Sequence, residues 1–270
     1  MQLILLCVNV EDAMIEIREC ANAAEEEFFR NELRAYFERD LFPDPQDEDR
    51  EYFLGEDYWE SAEKLNMRDV DRLRYMLFSR DGVDIGFVMA TIYGTEDGKC
   101  YLMEFCVLPQ YRGGGTGHAC AQVFFDWAYA NGAEYIELNA HTQQRQRFWK
   151  SMGFVDNGVD DWGDPLLMLP PERKVPVSVR PLRNYSDWQL VKLVNGLMRE
   201  KGKGPLTDEQ RDEMSYILAR RQYIAFVASR GYREVGVCFV DLQGRITDMY
   251  VEPVFRGKNV ETMLLRAARA

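Results

Sequence analysis

The sequence predicts an α/β protein with two modules of similar design. Short apolar runs alternate with segments of helical periodicity in both halves of the chain. A glycine-rich loop, Arg112–Gly117, separates a predicted strand from a predicted helix. The charge also changes sign along the chain, because residues 1–170 carry a net charge of −18 and residues 171–270 carry +6. Such a change indicates two modules.

The composition is that of an ordinary globular protein. Of the 270 residues, 46% are hydrophobic and 29% are charged, which excludes wholesale disorder and collagen-like repeats. The net charge of −12 disfavours a nucleic-acid partner. No window reaches the roughly 20 apolar residues of a membrane span. Met1–Val10 lacks a basic leader, so we predict a first strand there and no signal peptide.

The cysteines and histidines argue against metal and disulfide chemistry. Two histidines, His118 and His141, are too few for chemistry that needs several imidazoles. The cysteines are scattered and form no CxxC pair, which disfavours a disulfide framework or zinc site and suits the reducing cytoplasm. We therefore expect no metal and a cytoplasmic location. The six are Cys7, Cys20, Cys100, Cys106, Cys120 and Cys238.

The region before the glycine-rich loop predicts helical structure followed by an antiparallel meander. Apolar residues recur every three or four positions from Asp12 to about Asp40, which predicts an amphipathic helix. Glu38–Glu63 holds eleven acidic residues against two arginines, and the prolines of Phe42–Pro45 end any helix. Three strand-like runs follow, separated by turn sequences such as Asp81-Gly82. They are Arg72–Arg80, Ile85–Tyr93 and Cys100–Leu108.

The glycine-rich loop is best interpreted as a phosphate site. Four of the five residues from Gly113 to Gly117 are glycine, so the backbone can approach a ligand closely. The following helix, which ends at Asn131-Gly132, would present free N–H groups and its positive dipole end to an anion. A P-loop does not fit, because His118 follows the last glycine. A dinucleotide fold does not fit either, because three strands precede the loop.

Arg112–Gly117 resembles the R/Q-x-x-G-x-G/A signature of the GNAT superfamily of N-acetyltransferases, and Val107-Leu108-Pro109 precedes it as in that family. The elements that the family places afterwards are also present: strand Glu134–Asn139, helix Gln143–Met152, Gly153-Phe154 and last strand Pro165–Leu169. The resemblance covers residues 1–170 and is most specific from 101 to 154. It implies the GNAT fold, a mixed central sheet flanked by helices.

This resemblance implies acetyl-coenzyme A as donor and a primary amine as acceptor. The pantetheine arm would pair like an extra strand with the edge formed by Phe105, Cys106 and Val107, where the family splays two strands apart. Arg112 would add charge near the phosphates. The pyrophosphate would bind the backbone amides of Gly113, Gly114, Gly115, Thr116 and Gly117. We expect Cys106 itself to be a small buried residue.

Glu104 is the candidate general base. It lies on the strand before the loop, where similar family members place an acidic residue. A lysine-like amine has a pKa near 10.4, so removal of its proton matters. A carboxylate inside an apolar run is costly unless it is used or paired. The alternative is a structural glutamate that faces solvent or pairs with an arginine.

Two positions depart from the family pattern. Trp149 stands where the family often has the tyrosine that protonates the leaving thiolate, and Thr142 stands where an asparagine is usual. An indole N–H is not an acid near neutral pH. Trp149 would therefore wall the acetyl pocket or pack in the core, and another group or water would protonate the thiolate.

Two acidic clusters suggest a cationic acceptor such as a polyamine, an aminoglycoside or a lysine side chain. The first cluster is the segment Glu38–Glu63. The second cluster follows Gly153-Phe154 and consists of Asp156, Asp160, Asp161 and Asp164. The alternative is that these acidic residues simply keep the surface soluble.

The second module resembles the first half of a GNAT domain. A proline-rich linker, 171–176, separates it from the first module, and the resemblance stops with the helix before Ala270. Asn259 and Glu261 stand where the two signature glycines belong, so we expect a degenerate copy without a coenzyme site. Its uncovered sheet edge would need a cover, supplied by the oppositely charged first module or by another chain in a homodimer.

Two other functions stay open. The first module could bind an acyl-coenzyme A as a sensor without catalysis, which the departures at Trp149 and Thr142 motivate. Alternatively, it could acetylate protein lysines, with the second module recruiting the target.

Overall fold

The computed structural model describes residues 8–10, 13–160, 162–171, 176–182, 188–220, 222–231 and 233–269. The chain divides into two compact units, Met1–Leu138 and Asn139–Ala270. The predicted first strand is confirmed for Val8–Val10, and its earlier residues lie outside the described ranges. Within those ranges, no helix combines the length and apolar character needed to cross a membrane.

The first unit contains most of the predicted first module. Its elements are, in chain order, β1 (Val8–Val10), β2 (Ala13–Glu19), α1 (Ala23–Tyr36), α2 (Arg50–Leu54), α3 (Glu56–Asn66), β3 (Leu73–Arg80), β4 (Val83–Tyr93), β5 (Lys99–Val107), α4 (Thr116–Ala130) and β6 (Tyr135–Asn139). The three predicted strands before the glycine-rich loop are confirmed as β3, β4 and β5. Asp81-Gly82 joins the first two with positive φ angles of 52° and 76°, as a tight hairpin requires.

The strands of this unit form a mixed sheet in the order β1-β2-β3-β4-β5-β6. Neighbours are antiparallel except β5 and β6, which are parallel. Helices α1 and α3 pack on one face, where Phe29 and Leu33 of α1 are buried against Leu73 and Tyr75 of β3. Helix α4 packs against β1, β2, β4 and β5. The predicted α/β fold, a mixed sheet flanked by helices, is confirmed.

The predicted helix from Asp12 to Asp40 is wrong over its first part. Ala13–Glu19 is strand β2, which pairs with β3, and Ile15 is buried while Glu16 is exposed. The helix begins only after Asn22, whose side chain accepts hydrogen bonds from the amides of Ala24 and Glu25. Asparagine is among the best N-cap residues, and it stops the helix from extending backwards into β2.

The predicted helix end before Pro43 is confirmed. Helix α1 passes into a π-helical turn, Phe37–Leu41, and Phe42 leaves the helical conformation with φ −125° and ψ 59°. Proline disfavours helical backbone at the residue before it. Short π-helical turns are rare and occur often at functional sites, and this one carries Asp40.

The second unit ends in a sheet of its own. Strands β9 to β12 are antiparallel in the order β12-β11-β10-β9. The elements of this unit are α5 (Gln143–Ser151), β7 (Val155–Val159), β8 (Pro165–Leu169), β9 (Val177–Pro181), α6 (Trp188–Glu200), α7 (Asp208–Ala219), β10 (Tyr223–Arg230), β11 (Arg233–Asp241), β12 (Ile246–Val251) and α8 (Val260–Ala268). Helix α5 and strand β8 confirm the predicted helix Gln143–Met152 and last strand Pro165–Leu169, whereas β7 was not predicted. Its five residues include Asn157 and Gly158, so composition gave no strand signal.

Strand β7 contacts the C-terminal module at a short 3₁₀ turn, Pro253–Phe255. A Cβ on Gly158 would lie 3.6 Å from Cγ of Pro253, and Val254 and Phe255 are buried. Both partners of this contact belong to the second unit, and the expected cover of the C-terminal sheet edge stays a prediction. The linker boundary at 171–176 stays a prediction, because Glu172–Val175 lie outside the described residues.

Candidate active site

The loop between β5 and α4 owes its shape to left-handed glycines. Gly113, Gly114 and Gly115 have φ angles of 98°, 55° and 83°, which other residues adopt only at a cost. No atom would lie within 4 Å of a Cβ built on any of them. Backbone conformation rather than crowding therefore explains the glycines. All three are exposed, which leaves this side of the loop open to a ligand.

The N-terminus of α4 has no side-chain cap in the described part of the chain. Gly115 occupies the N-cap position, whereas Asn22 caps α1 and Thr142 caps α5 with side-chain oxygens. The amide of Thr116 donates to the carbonyl of Gly113 at 3.0 Å. The first turn of a helix has amides without intrahelical acceptors, and its dipole favours an anion there. This is the arrangement that a pyrophosphate site requires.

Strand β5 is paired along its full length on one side only. It pairs with β4 from Lys99 to Val107, but its parallel pairing with β6 covers only Lys99–Tyr101. Over Phe105–Val107 the described residues supply no strand on the β6 side. An exposed strand edge can bind an extended ligand through main-chain hydrogen bonds. The predicted separation of two strands at this point is confirmed.

A β-bulge in β5 sets the position of Glu104. Met89 on β4 faces Glu104, and the next residue, Ala90, faces Leu102. Met103 is therefore the extra residue of a bulge, a feature that often re-aims a side chain beside an active site. Directly opposed residues share a face of the sheet, so Glu104 lies on the Met89 face, which the N-terminal helices cover.

Glu104 is half-buried and lies near Tyr58 of α3. Burial, with a further contribution from the negative charge of Glu104, raises the pKa of Tyr58 well above its usual value. The phenol is therefore protonated at physiological pH. Its oxygen lies 3.9 Å from Sδ of Met89. The site thus combines a carboxylate with a neutral phenol at the bulged part of β5.

The guanidinium of Arg112 is held by the protein itself. Its Nε donates to the carbonyl of Val107 at 2.8 Å, and its two terminal nitrogens bind the carboxylate of Asp40. Nη2 also lies 3.7 Å from Sγ of Cys106. The predicted role of Arg112 near the phosphates remains a prediction. In the structure, Arg112 links the end of β5 to the π-helical turn that follows α1.

Asp40 is a site residue that sequence reasoning missed. It accepts hydrogen bonds from Arg112 and from Arg39, the latter at 2.8 Å from Nη2. Burial acts to raise the pKa of Asp40, but the hydrogen bonds from the two arginines outweigh it and lower the pKa below its usual value. In the sequence Asp40 is one of eleven acids in Glu38–Glu63, and no local signal distinguishes it.

The thiol of Cys106 is buried, as expected. Burial raises its pKa to about 11, even though the hydrogen bond from Arg112 acts in the opposite direction. Only a thiolate is an effective nucleophile, so Cys106 stays protonated and inert near neutral pH. His118 is exposed on the first turn of α4.

Trp149 belongs to the second unit, in the last turn of α5. It is buried, and its ring centroid lies 4.9 Å from that of Phe148 and 5.3 Å from that of Phe154. Thr142 caps α5 by accepting a hydrogen bond from the amide of Arg145 at 3.3 Å. Trp149 therefore packs in the core and Thr142 caps α5, so both residues have structural roles. The predicted part of Trp149 in an acetyl pocket stays a prediction.

Many residues of the first acidic cluster are occupied by local pairs. Glu38 pairs with Arg34 at 3.4 Å, and Glu60 with Lys64 at 3.7 Å. Glu63 pairs with Arg30, whose guanidinium carbon is 5.0 Å from the centroid of the Trp59 ring. Other acids of this segment are exposed on or near α2 and α3, namely Glu48, Glu51, Glu56 and Asp57.

The second acidic cluster shapes a turn between β7 and β8. Oδ1 of Asp160 accepts from the amides of Trp162 and Asp164, each at 2.9 Å. Asp164 in turn lies 3.2 Å from Nδ1 of His141. Asp156 pairs with Lys150 at 2.8 Å. Asp161 lies outside the described residues. This cluster therefore has structural roles whatever its effect on a substrate.

The loop before α8 is similar in design to the loop before α4, although Lys258, in the place of Gly114, has no positive φ. A 3₁₀ turn again follows the strand, and the N-cap residue, Asn259, again has a left-handed φ, of 69°. Nε of Arg256 donates to the carbonyl of Val251 at 2.8 Å. A further difference is that the amide of Gly257 donates to the carboxylate of Glu261 at 3.2 Å.

The chain carries a domain of a known enzyme family. Residues 23–154 match the acetyltransferase (GNAT) family, and the matched segment includes the bulged β5, the glycine-rich loop and α4. This segment is a GNAT acetyltransferase domain, as the resemblance at Arg112–Gly117 predicts. The comparison with curated proteins gives no match.

Several solved acetyltransferase structures are similar to this chain. PaiA N-acetyltransferase from Thermoplasma acidophilum, in complex with coenzyme A, is 19% identical with a TM-score of 0.45, covering 57% of this chain and 97% of its own. An acetyltransferase from Streptococcus agalactiae is 16% identical with a TM-score of 0.42, covering 57% and 96%. N-acetylglutamate synthase from Neisseria gonorrhoeae, complexed with coenzyme A and N-acetyl-glutamate, is 13% identical with a TM-score of 0.42, covering 60% and 36%.

Proposed function

We propose that this protein transfers an acetyl group from acetyl-coenzyme A to the primary amine of a cationic acceptor. One observation carries the proposal: the uncapped N-terminus of α4, with its three left-handed glycines, follows strand β5, whose parallel pairing with β6 ends at Tyr101. A pyrophosphate and an extended pantetheine arm are the two parts of coenzyme A that such features would bind.

The donor would bind through main-chain groups. The amides of Gly113–Gly117 would hold the pyrophosphate, and the edge of β5 at Phe105–Val107 would pair with the amides of the pantetheine arm. The thioester would then lie beside the bulge that carries Glu104. Membership of residues 23–154 in the GNAT family supports acetyl-coenzyme A as cosubstrate.

The reaction would be a direct attack of the amine on the thioester carbonyl. The C–N bond forms, the C–S bond breaks, and the amine loses a proton to the carboxylate of Glu104. Coenzyme A leaves as a thiolate and takes its proton from water, because the pKa of a thiol is near 8.5. A positioned base typically accelerates such a step by about 100- to 10,000-fold.

A cationic acceptor is the proposal that the charges favour. Within the described segment Glu38–Glu63, the exposed carboxylates of Glu48, Glu51 and Glu56 form no ion pair, whereas Glu60 and Glu63 each have a basic partner. Such a surface attracts cations and increases their rate of association. The acceptor would be a small polyamine-like molecule or a lysine side chain of a protein.

Two measurements on the purified chain test this proposal. Calorimetric titration with acetyl-coenzyme A should give saturable binding. Steady release of coenzyme A should then appear with at least one amine from a panel of polyamines, aminoglycosides and lysine peptides. Absence of coenzyme binding would overturn the proposal.

A sensor of acyl-coenzyme A is the second candidate function. The observation in its favour is Trp149, which stands where the family often has its acid and is buried between Phe148 and Phe154. Tight binding of acetyl-coenzyme A without turnover on any amine of the panel would favour the sensor. Turnover with any of them would favour the enzyme.

The C-terminal sheet is proposed to be a degenerate GNAT copy with a structural or recruiting role. The carboxylate of Glu261 takes the place of a ligand at Gly257, which supports the absence of a second coenzyme site. A protein acceptor that is recruited by this module would lose acetylation when residues 177–270 are removed, whereas a small amine would not.

A further inference from the structure

We propose that Asp40 and Arg112 form a positioning pair that holds the coenzyme loop to the acceptor-side helices, and that Arg112 acts through this pair and not as a ligand of the phosphates. The inference rests on the proposed function, since it concerns the loop that would bind the coenzyme. It assigns a role to Asp40, which lies 72 residues from Arg112 in the sequence.

All three side-chain nitrogens of Arg112 are bound to acceptors of the protein. Nε is bound to the carbonyl of Val107 at 2.8 Å, and Nη1 and Nη2 are bound to the two carboxylate oxygens of Asp40. A two-pronged contact of this kind fixes the plane of the guanidinium. To reach a phosphate, Arg112 would have to give up the carbonyl at the end of β5 or the carboxylate of Asp40.

Asp40 lies between helices α1 and α2. It lies in the π-helical turn that follows α1, and its side chain is only 20% exposed. The turn leads directly into the acidic segment that contains α2 and α3. A displacement of this segment by an acceptor would therefore be transmitted to the start of the glycine-rich loop through one ion pair.

A similar arginine arrangement occurs elsewhere in the chain. Arg256 donates through Nε to the carbonyl of Val251, again five residues earlier and at 2.8 Å, and pairs with Glu200 at the end of α6. In that loop the carboxylate of Glu261 already occupies the amide of Gly257. The arginine arrangement is thus complete in a loop where a carboxylate of the chain itself binds the Gly257 amide, so it holds the backbone there without an anionic ligand.

The two possible roles of Arg112 predict opposite changes in coenzyme affinity when the charge of Asp40 is removed. If Arg112 bound phosphate, removing the charge of Asp40 would release the guanidinium and tighten coenzyme binding. If Arg112 positions the loop, removing that charge loosens the loop and weakens binding. Coupling through such contacts typically changes affinity by about 2- to 30-fold.

The test is calorimetric titration of coenzyme A into the full chain, at a temperature where every variant is folded. Asp40→Asn and Arg112→Gln are each expected to weaken binding about 2- to 30-fold. The double variant should be no weaker than the worse single variant, because both changes remove one interaction. Tighter binding by Asp40→Asn would overturn the inference.

Arg112→Lys separates geometry from charge. Lysine keeps the positive charge but cannot bind the Val107 carbonyl and both Asp40 oxygens at once. The positioning role predicts that Arg112→Lys binds coenzyme A as weakly as Arg112→Gln. Near wild-type affinity of the lysine variant would show that charge is sufficient and would contradict the inference.

Glu200→Gln is the matched control. It removes the equivalent charge from Arg256 and should lower thermal stability without changing the affinity for coenzyme A. An equal loss of affinity in this control would mean that the effect of Asp40→Asn is general destabilisation. Failure of the wild-type chain to bind coenzyme A would instead overturn the proposed function itself, so the two failures are distinguishable.

Discussion

Glu104 and Asp40 are carboxylates of the same unit with different surroundings. Asp40 is bound by Arg112 and Arg39, and these hydrogen bonds lower its pKa. A carboxylate held in this way is a poor proton acceptor. Glu104 lies on the bulge of β5, beside a phenol that stays protonated. Of the two, Asp40 is therefore the less suited to accept the proton of the amine, and Glu104 stays the proposed base.

Replacing Glu104 by Gln should lower turnover while leaving coenzyme affinity unchanged. We expect kcat to fall by about 100-fold or more at pH 7, the usual contribution of a general base. The loss should shrink as the pH rises towards the amine pKa near 10.4, because more acceptor is then already neutral. The measurement is the pH profile of coenzyme A release with an amine that is turned over.

The exposed acid Glu56 provides the control for this experiment. Glu56→Gln removes one negative charge from α3 without touching β5, so its turnover should keep the wild-type pH profile. If Glu104→Gln lost the same factor at every pH, Glu104 would be a structural residue and the base would have to be sought elsewhere.

At the scale of secondary-structure elements, the sequence correctly predicts those elements whose structure is decided by neighbouring residues. The strand, glycine-rich loop and helix around Arg112–Gly117 follow from residue types within 30 positions, and all are confirmed. Ala13–Glu19 is different, because Met14, Ile17 and Ala21 fit a helical spacing while Ile15 and Ile17 fit a strand. Pairing with β3, some 60 residues away in the sequence, decides between them. Propensity yields to such tertiary contacts.

The pairing of Asp40 with Arg112 could not be predicted for the same reason. The two side chains meet only because the π-helical turn after α1 brings Asp40 to the end of β5. Neither the turn nor the contact has a signature in neighbouring residues. The short strand β7 was missed because Asn157 and Gly158 resemble a loop and only its pairing with β8 makes it a strand.

Gly115→Asp should abolish coenzyme binding without unfolding the loop. Aspartate tolerates a left-handed backbone better than most residues, and a Cβ at this position has open space. Its carboxylate would lie at the predicted pyrophosphate position, and two like charges about 4 Å apart near a surface repel by about 4 kcal/mol. Calorimetry should therefore show coenzyme A affinity reduced by more than about 100-fold.

The matched variant is Asn259→Asp, which places the same carboxylate at the equivalent left-handed N-cap before α8. It should leave coenzyme A affinity within about twofold of wild type, because that loop is not expected to bind the coenzyme. Unchanged affinity in Gly115→Asp would show that the loop before α4 is not the phosphate site.

At the scale of the whole molecule, the chain contains two loops of similar design. Both loops follow an antiparallel strand and a 3₁₀ turn, and both anchor an arginine on the strand end. The two loops differ in the group that contacts their backbone amides. The first loop presents exposed glycines, whereas the second has Glu261 bound to Gly257, and the adjacent Phe255 is buried. The second loop thus supplies its own anion.

This difference predicts one acetyl-coenzyme A per chain. The Glu261→Gln variant should also bind one, because its amide oxygen can still accept from Gly257. Glu261→Ala should again bind one, since Asn259 and the buried 3₁₀ turn remain, but it should melt about 2–4 °C lower for the loss of one hydrogen bond. Titration and thermal melting of the three proteins measure both quantities. Two sites in the wild-type chain would mean that the carboxylate of Glu261 gives way to the coenzyme and that both halves of the molecule are binding modules.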